Sequence, residues 1–499
     1  MGYRIGVILL VGLALIARLH GITEPVIWYD EGYSLLLSQR SPALIWTTTA
    51  GDVHPPLYYV ILHYWMQLFG SSVLSVRGLS ALADVGTLLL CIKLMSLLVS
   101  RRAALIAGVL FALLPIAVRY SQEVRMYTLL GMWLMAATVV LVCWGRRPQS
   151  RGYPLLYVLL MTAAFYTHYF AALCVLVHWL YWSGLGSDES VLLPARKWLL
   201  ANVTIALFYV PWLPNFIEQT LHTKGLDWIP PTTWATLPGF IAQCAAMLSP
   251  TDGGFPGALL VSGLVAACCV VVLRSQRPGC RSSLLLIAYC LVPVVTLFLL
   301  SWATPMFIPR YLLFAASGLP MIVACALDRL AERGTGAALV CLSLLMAGEG
   351  LGLQRVYAQQ DGLNGTVIRQ AARLDILAQG IQGQVEPGDE IVVDGLYWYL
   401  PFSYYNDTGI QPRLYISNAA NGEPSGPLDQ GGWLVIPQRL DWIFFHDVAT
   451  VKLSSKRVWW VTGQPRRENI VNFPKRWHLM QTIKGGLVEA RLYVLDPER

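Results

Sequence analysis

Two carboxylates stand side by side at Asp30 and Glu31, within the run Trp28-Tyr29-Asp30-Glu31-Gly32-Tyr33. They follow the first long apolar stretch of the chain. An acid held beside a bilayer is costly unless it is used. It can serve there as a general base, a metal ligand or a counter-ion. Asp30 could equally cap an apolar helix that begins at Gly32. The flanking Trp28, Tyr29 and Tyr33 favour a binding site at the membrane boundary. A second motif, Asp52-Val53-His54-Pro55-Pro56, follows. The two prolines fix the backbone and open a helix, which holds Asp52 and His54 near its N-terminus. A helix N-terminus with an imidazole beside it attracts an anion such as phosphate.

Further along, Tyr120-Ser121-Gln122-Glu123-Val124-Arg125-Met126-Tyr127 sets an arginine beside an acid and two tyrosines. Arg125 can hold a phosphate or pair with Glu123. Thr167-His168-Tyr169 lies between two closely linked apolar stretches, where His168 is either an interface anchor or a site group. Arg310-Tyr311 repeats the arginine–tyrosine theme at the mouth of a later stretch. Carboxylates to take a proton, cations to hold a phosphate and aromatics to hold a ring or a lipid suit group transfer from a lipid-phosphate donor. There is no Walker motif or soluble nucleotide loop, so ATP and nucleotide sugars are not indicated.

The elements that must position these groups are membrane helices. Of 499 residues, 56% are hydrophobic and only 13% charged, against about 25% charged in a soluble domain. Apolar stretches long enough to cross a bilayer, roughly 17 to 25 residues, recur. Spans are expected near 4–22, 72–99, 103–120, 126–144, 153–167, 169–184, 197–214, 256–273, 283–303, 309–327 and 335–352, about eleven in all. The fold class is therefore an all-α polytopic membrane protein. The first stretch lacks a small-x-small cleavage pattern and reads as an uncleaved helix. With the N-terminus in the cytoplasm, the inside turns hold Arg101-Arg102, Arg146-Arg147 with Arg151, Arg196-Lys197, Arg274 with Arg277 and Arg281, and Arg329 with Arg333. That matches the positive-inside bias. Asp30, Glu31, Asp52, His54, Glu123, Arg125, His168, Asp252 and Arg310 then all face the other side.

The net charge of +7 is spread over short clusters, not one basic face, so no nucleic-acid partner is expected. The ten cysteines lie mostly in apolar runs and read as small core side chains, not as a disulfide frame or zinc site. Within a transmembrane module over 1–352, two outer segments stand apart. Loop 23–71 includes 55–69, an apolar, aromatic-rich helix too short to span and suited to the interface. Loop 215–255 carries Pro230-Pro231, Pro250 and Gly253-Gly254 as breakers. From 353 to 499 the composition turns polar. A helical stretch at 365–382 and strand-like runs at 390–393, 433–436, 458–461 and 492–495 predict a small α/β domain outside the membrane.

In order and spacing, WYDEGYSLLL, DVHPPLYYVILHYW, YSQEVRMYTLL, YTHYF and PRYLLF closely resemble bacterial membrane glycosyltransferases of the GT-C fold. The resemblance is strongest to the family 39, protein-mannosyltransferase-like group and the related aminoarabinose transferases, over roughly residues 1–330. PGDEIVV and VWWV resemble, more weakly, the outer α/β domain of such proteins. The resemblance implies inverting transfer of a sugar from a polyprenyl-phosphate donor to an acceptor on the outer face of the inner membrane. It implies that Asp30 is the general base and that Glu31 orients the acceptor or Asp30. Arg125 and Arg310, with His54 assisting, would stabilise the departing phosphate. Asp52, Glu123, Tyr127, His168, Tyr169 and Tyr311 complete the expected substrate-binding set. Some GT-C enzymes hold a divalent metal with loop acids, and Asp30, Glu31, Asp52 and His54 could supply ligands. The family 39-like group is metal-independent, so no cofactor is expected. The acceptor can be a lipid, a glycan or a protein, though the β-trefoil-like domain of eukaryotic protein mannosyltransferases is missing. A transporter or flippase of a lipid-linked sugar is the alternative; such proteins bind near the midplane and show internal repeats, which this sequence lacks. A non-catalytic assembly or receptor protein is a third reading.

Overall fold

The computed structural model describes the chain except for residues 1, 185–191, 223–228, 249–253, 275–278, 417–430, 437–442, 446–447, 449–455, 464–470, 472 and 497–499. Pro250, Asp252, Gly253 and Arg277 lie outside the described residues. The chain forms two compact units. One is Met1–Ile22 with His54–Gly362; the other is Thr23–Val53 with Leu363–Arg499. The division differs from the expected boundary at 352/353, because the helix Thr335–Tyr357 runs straight through that point. It also takes residues 23–53 out of the helical unit and into the C-terminal one.

The first unit is helical. Among the described residues, seven helices are long and apolar enough to cross a membrane, or nine if each of two bent pairs is one span. The seven are Gly2–Leu19, Val73–Leu98, Tyr127–Arg146, Phe255–Leu273, Cys280–Leu300, Pro309–Arg333 and Thr335–Tyr357. The expected spans at 153–167 and 169–184 are the shorter apolar helices Gly152–Thr167 and Ala171–Ser183. The expected straight span at 103–120 is broken. Arg101–Leu113 and Pro115–Ser121 meet at 56°, because Pro115 lacks an N–H and drives Leu114 out of the helical region (ψ 111°). Ala195–Tyr209 and Leu213–Leu221 bend by 74° in the same way as a pair. The segment 215–255 is more than a loop, since it contains the helix Thr236–Ala246. Residues 55–69 give the helix Leu57–Phe69, opened by Pro56. Its 13 residues extend about 20 Å, short of a bilayer core.

Buried polar groups tie these helices together. Arg18, fully buried, donates to Asp84 (2.6 Å) and to the carbonyls of Ala112 and Phe111 (2.9 and 3.2 Å). The two carbonyls belong to the last turn before Pro115, which has no N–H to offer Phe111; that carbonyl also accepts from the Leu114 N–H (3.3 Å). Gln122 donates to the Arg18 and His20 carbonyls (3.0 and 2.8 Å) and fixes the end of the first helix.

The second unit is α/β. Six described strands are β1 (Glu390–Asp394), β2 (Arg413–Tyr415), β3 (Phe444–Phe445), β4 (Arg457–Gly463), β5 (Trp477–Gly485) and β6 (Val488–Leu495), in the order β3-β2-β1-β4-β6-β5. The first four are mutually parallel; β6 and β5 add antiparallel. The strand expected at 433–436 is instead a 3-10 turn, Gly431–Val435, entered through Gly431 at φ +58°. The expected helix at 365–382 is two pieces, Thr366–Ala371 and Leu374–Gln382. A further helix, Leu396–Tyr405, links β1 to β2. Strand order reverses on either side of β1, and in open α/β sheets such a switch point leaves a crevice beyond the strand C-termini.

Candidate active site

In the helical unit, side chains from four separate segments converge. The His54 ring lies 5.6 Å from His168, and His168 lies 5.9 Å from Tyr127 and 5.3 Å from Tyr311. Tyr127 and Tyr311 are 6.0 Å apart. Two guanidiniums meet the same ring: Arg125 and Arg310 each sit 5.8 Å from the centre of Tyr127. Arg310 also lies 5.7 Å from Tyr311. Both arginines are buried, at 4% and 5% exposure. Stacking on an aromatic face suits a weakly hydrated guanidinium.

The local folding explains the placement. Residues 123–125 form a turn between Pro115–Ser121 and Tyr127–Arg146. Ser80, on the Val73–Leu98 helix, donates to the Glu123 and Arg125 carbonyls (2.6 and 3.3 Å) and holds that turn. Arg310 sits on the one-turn helix Pro309–Leu312, opened by proline. His168 ends the helix Gly152–Thr167 in an extended conformation. Its Nδ1 accepts from the Phe170 N–H (3.2 Å), so a neutral ring carries its proton on Nε2. That Nε2 is buried and has no hydrogen-bond partner among the described residues. Burial first, then the charges of His54, Arg125 and Arg310, hold His168 well below its ordinary 6.5. The site therefore offers two cations and a neutral donor, which together fit a phosphate group.

Two expected members also have partners of their own. Glu123 pairs with Arg119 (3.3 Å), and Arg119 pairs with Asp361 (2.9 Å); all three are at most 1% exposed. The i,i+4 spacing from Arg119 to Glu123 brings the pair together. The Tyr169 hydroxyl accepts from Trp212 (3.0 Å) and donates to Gln219, and its ring lies against Phe216. Phe170, which carries no chemistry in the sequence, packs between His168 and Tyr311 at 5.1 Å from each.

The acids belong to the second unit. Asp30 and Glu31 open the helix Tyr29–Ser38, whose N-cap is Trp28. Asp30 is therefore inside the first turn, where the helix dipole favours a carboxylate, and is not the cap. Glu31 is fully buried and Asp52 is 7% exposed. Asp52 follows the helix Pro42–Ala50, so the chain separates it from His54 at the unit boundary. The entry to the acidic helix is pinned. The Val26 N–H donates to the Arg369 carbonyl (3.0 Å), and the Ile27 N–H donates to the Tyr405 hydroxyl (2.8 Å). Beside Asp30, the Tyr29 ring stacks on Tyr397 (5.3 Å, 4°). Burial first, then Asp30, raise both phenols; Asp52 adds to Tyr29, and Tyr397 is pushed up to about 12. Both stay protonated as O–H donors. Among the described residues, no three His, Cys, Asp or Glu side chains gather to hold a metal.

Residues 53–214 match the family model of dolichyl-phosphate-mannose-protein mannosyltransferase. Among curated protein sequences none matches. The fold is that of ArnT from Cupriavidus metallidurans in the apo state, with 15% identity, TM-score 0.67 and complete coverage of both chains. The same protein bound to undecaprenyl phosphate matches at 15% identity and TM-score 0.65, over 99% of each chain. The oligosaccharyltransferase AglB from Archaeoglobus fulgidus, in complex with an inhibitory peptide and a dolichol-phosphate, matches at 11% identity and TM-score 0.57. That match covers 93% of this chain and 69% of AglB. The chain is a multi-pass membrane protein with the fold of ArnT along its length, and its residues 53–214 match the mannosyltransferase family model.

Proposed function

We propose that the chain moves a sugar from a polyprenyl-phosphate donor to an acceptor hydroxyl or phosphate group on the outer face of the inner membrane, with inversion and without a metal. The observation that carries this reading is the pair of buried guanidiniums, Arg125 and Arg310, on the Tyr127 ring beside neutral His168. Undecaprenyl phosphate in ArnT and dolichol-phosphate in AglB support a lipid phosphate as ligand of this fold.

In the proposed step the acceptor oxygen attacks the sugar C1 while Asp30 takes its proton. The bond from C1 to the phosphate oxygen breaks, and polyprenyl phosphate leaves with the electron pair. Arg125 and Arg310 stabilise the charge that grows on that oxygen, with donors from His54 and His168. Glu31 orients Asp30 or the acceptor. A well-placed base is worth about 10²–10⁴-fold. The test is transfer of label from a polyprenyl-phosphate sugar by membranes containing the full chain. Chain-dependent label in a new product supports the proposal. Movement of intact donor across proteoliposomes without chemical transfer would establish a flippase instead.

A further inference from the structure

The helix Leu396–Tyr405 belongs to the C-terminal α/β unit, yet it meets the acidic helix over its length. Gly32 is the point of closest approach. A side chain there would stand 2.8 Å from the Pro401 nitrogen and 2.9 Å from the Leu400 carbonyl carbon, so only glycine lets the backbones touch. One turn earlier, Tyr29 stacks flat on Tyr397. At the far end, Tyr405 accepts the Ile27 N–H. The acidic helix is thus held at two points, and the segment that enters it at a third, by one element of the C-terminal unit.

That element is itself fixed at the crevice where strand order reverses. It begins directly after β1, through Gly395 at φ +88°. Thr462 of β4 donates to Asp394 of β1 (2.8 Å) and closes the two parallel strands at their C-terminal ends. Gly463 leaves room for the Trp398 ring, which a side chain would meet at 2.8 Å. Tyr397 therefore stands on the first turn of the helix that leaves the sheet at this crevice, where α/β folds present ligand-binding groups.

We infer that Tyr397 is a positioning residue for Asp30, acting through its ring on Tyr29, and that the C-terminal unit is part of the catalytic apparatus. The inference rests on Asp30 being the base proposed above. A loosened stack lets the carboxylate wander from the acceptor oxygen, and a misplacement of about 1 Å costs about 10²-fold. Donor binding is assigned to arginines of the other unit, so it is unaffected by this loss.

The experiment measures transfer by the full chain in membranes for Tyr397→Ala and Tyr397→Phe, with donor KM, kcat and thermal unfolding for each. The expected result is a kcat about 10–100-fold lower for Tyr397→Ala, with donor KM and unfolding midpoint near wild type. Tyr397→Phe, which keeps the ring, restores kcat to within about 3-fold. An unchanged kcat in Tyr397→Ala overturns the inference. So does a Phe variant as damaged as the Ala variant, since the phenol and not the stack would then act, or an Ala loss that tracks a collapsed midpoint. Asp30→Asn in the same assay separates the two claims. If it keeps full activity, the base assignment fails first, whatever Tyr397 does.

Discussion

The two units carry opposite chemistry on different kinds of scaffold. The helical unit gathers its cations, Arg125 and Arg310, from turns at the ends of membrane helices and stacks them on an aromatic floor. The α/β unit holds Asp30 and Glu31 on a short helix tied to a sheet-borne element, and Asp52 just past a second short helix. A lipid-anchored donor has its phosphate at a fixed depth, so cations on membrane helices meet it without searching. In the proposed reaction, then, the helical unit binds and steadies the phosphate, and the α/β unit takes the proton.

Substitutions in each unit can sharpen or break this contrast. The largest effect is expected for Asp30→Asn, with kcat reduced by about 10²–10⁴-fold and donor affinity retained. Steady-state kinetics with labelled donor reads both quantities. Next is Asp361→Ala, which leaves Arg119 buried and half-paired with Glu123. Breaking a buried pair costs about 3–5 kcal/mol, so the unfolding midpoint of the helical unit drops sharply while any activity left keeps its donor KM. Arg310→Gln removes one charged arm of the phosphate site. A charged hydrogen bond is worth about 1.5–3 kcal/mol, so donor KM rises about 10–150-fold.

The smallest effect concerns pH. His168 is held neutral in the folded chain but titrates near 6.5 when unfolded. Below that value the unfolded chain binds the extra proton, so this residue's contribution is complete above about pH 6.5 and is lost as pH falls. His168→Asn is expected to flatten the decline in unfolding midpoint between about pH 6.5 and 5. An equally steep decline would show that other groups cause it.

How much of this was legible from the sequence also differs between the units. His54, Arg125, Tyr127, His168, Arg310 and Tyr311 stood out in the sequence because each is a polar or aromatic group at the end of an apolar run, and the structure brings their side chains together. Glu123 and Tyr169 sat beside them in sequence, and their pairings with Arg119 and with Trp212 and Gln219 were not readable there. Adjacent residues near a helix end point in different directions, which spacing alone did not resolve. In the α/β unit, periodicity showed β1, β4 and β6 but missed β5, whose middle residues are exposed and follow no alternation. The recruitment of 23–53 was illegible. It rests on Gly32 against Leu400 and on the Tyr29–Tyr397 stack, long-range meetings that leave no local pattern.

The most direct test compares Asp30→Asn and Arg310→Gln in one assay of donor binding and sugar transfer. The expected result is a clean split: Asp30→Asn binds a labelled polyprenyl-phosphate sugar as wild type does but scarcely transfers it, and Arg310→Gln loses binding. Wild-type transfer by Asp30→Asn, or wild-type donor binding by Arg310→Gln, would contradict this division of labour.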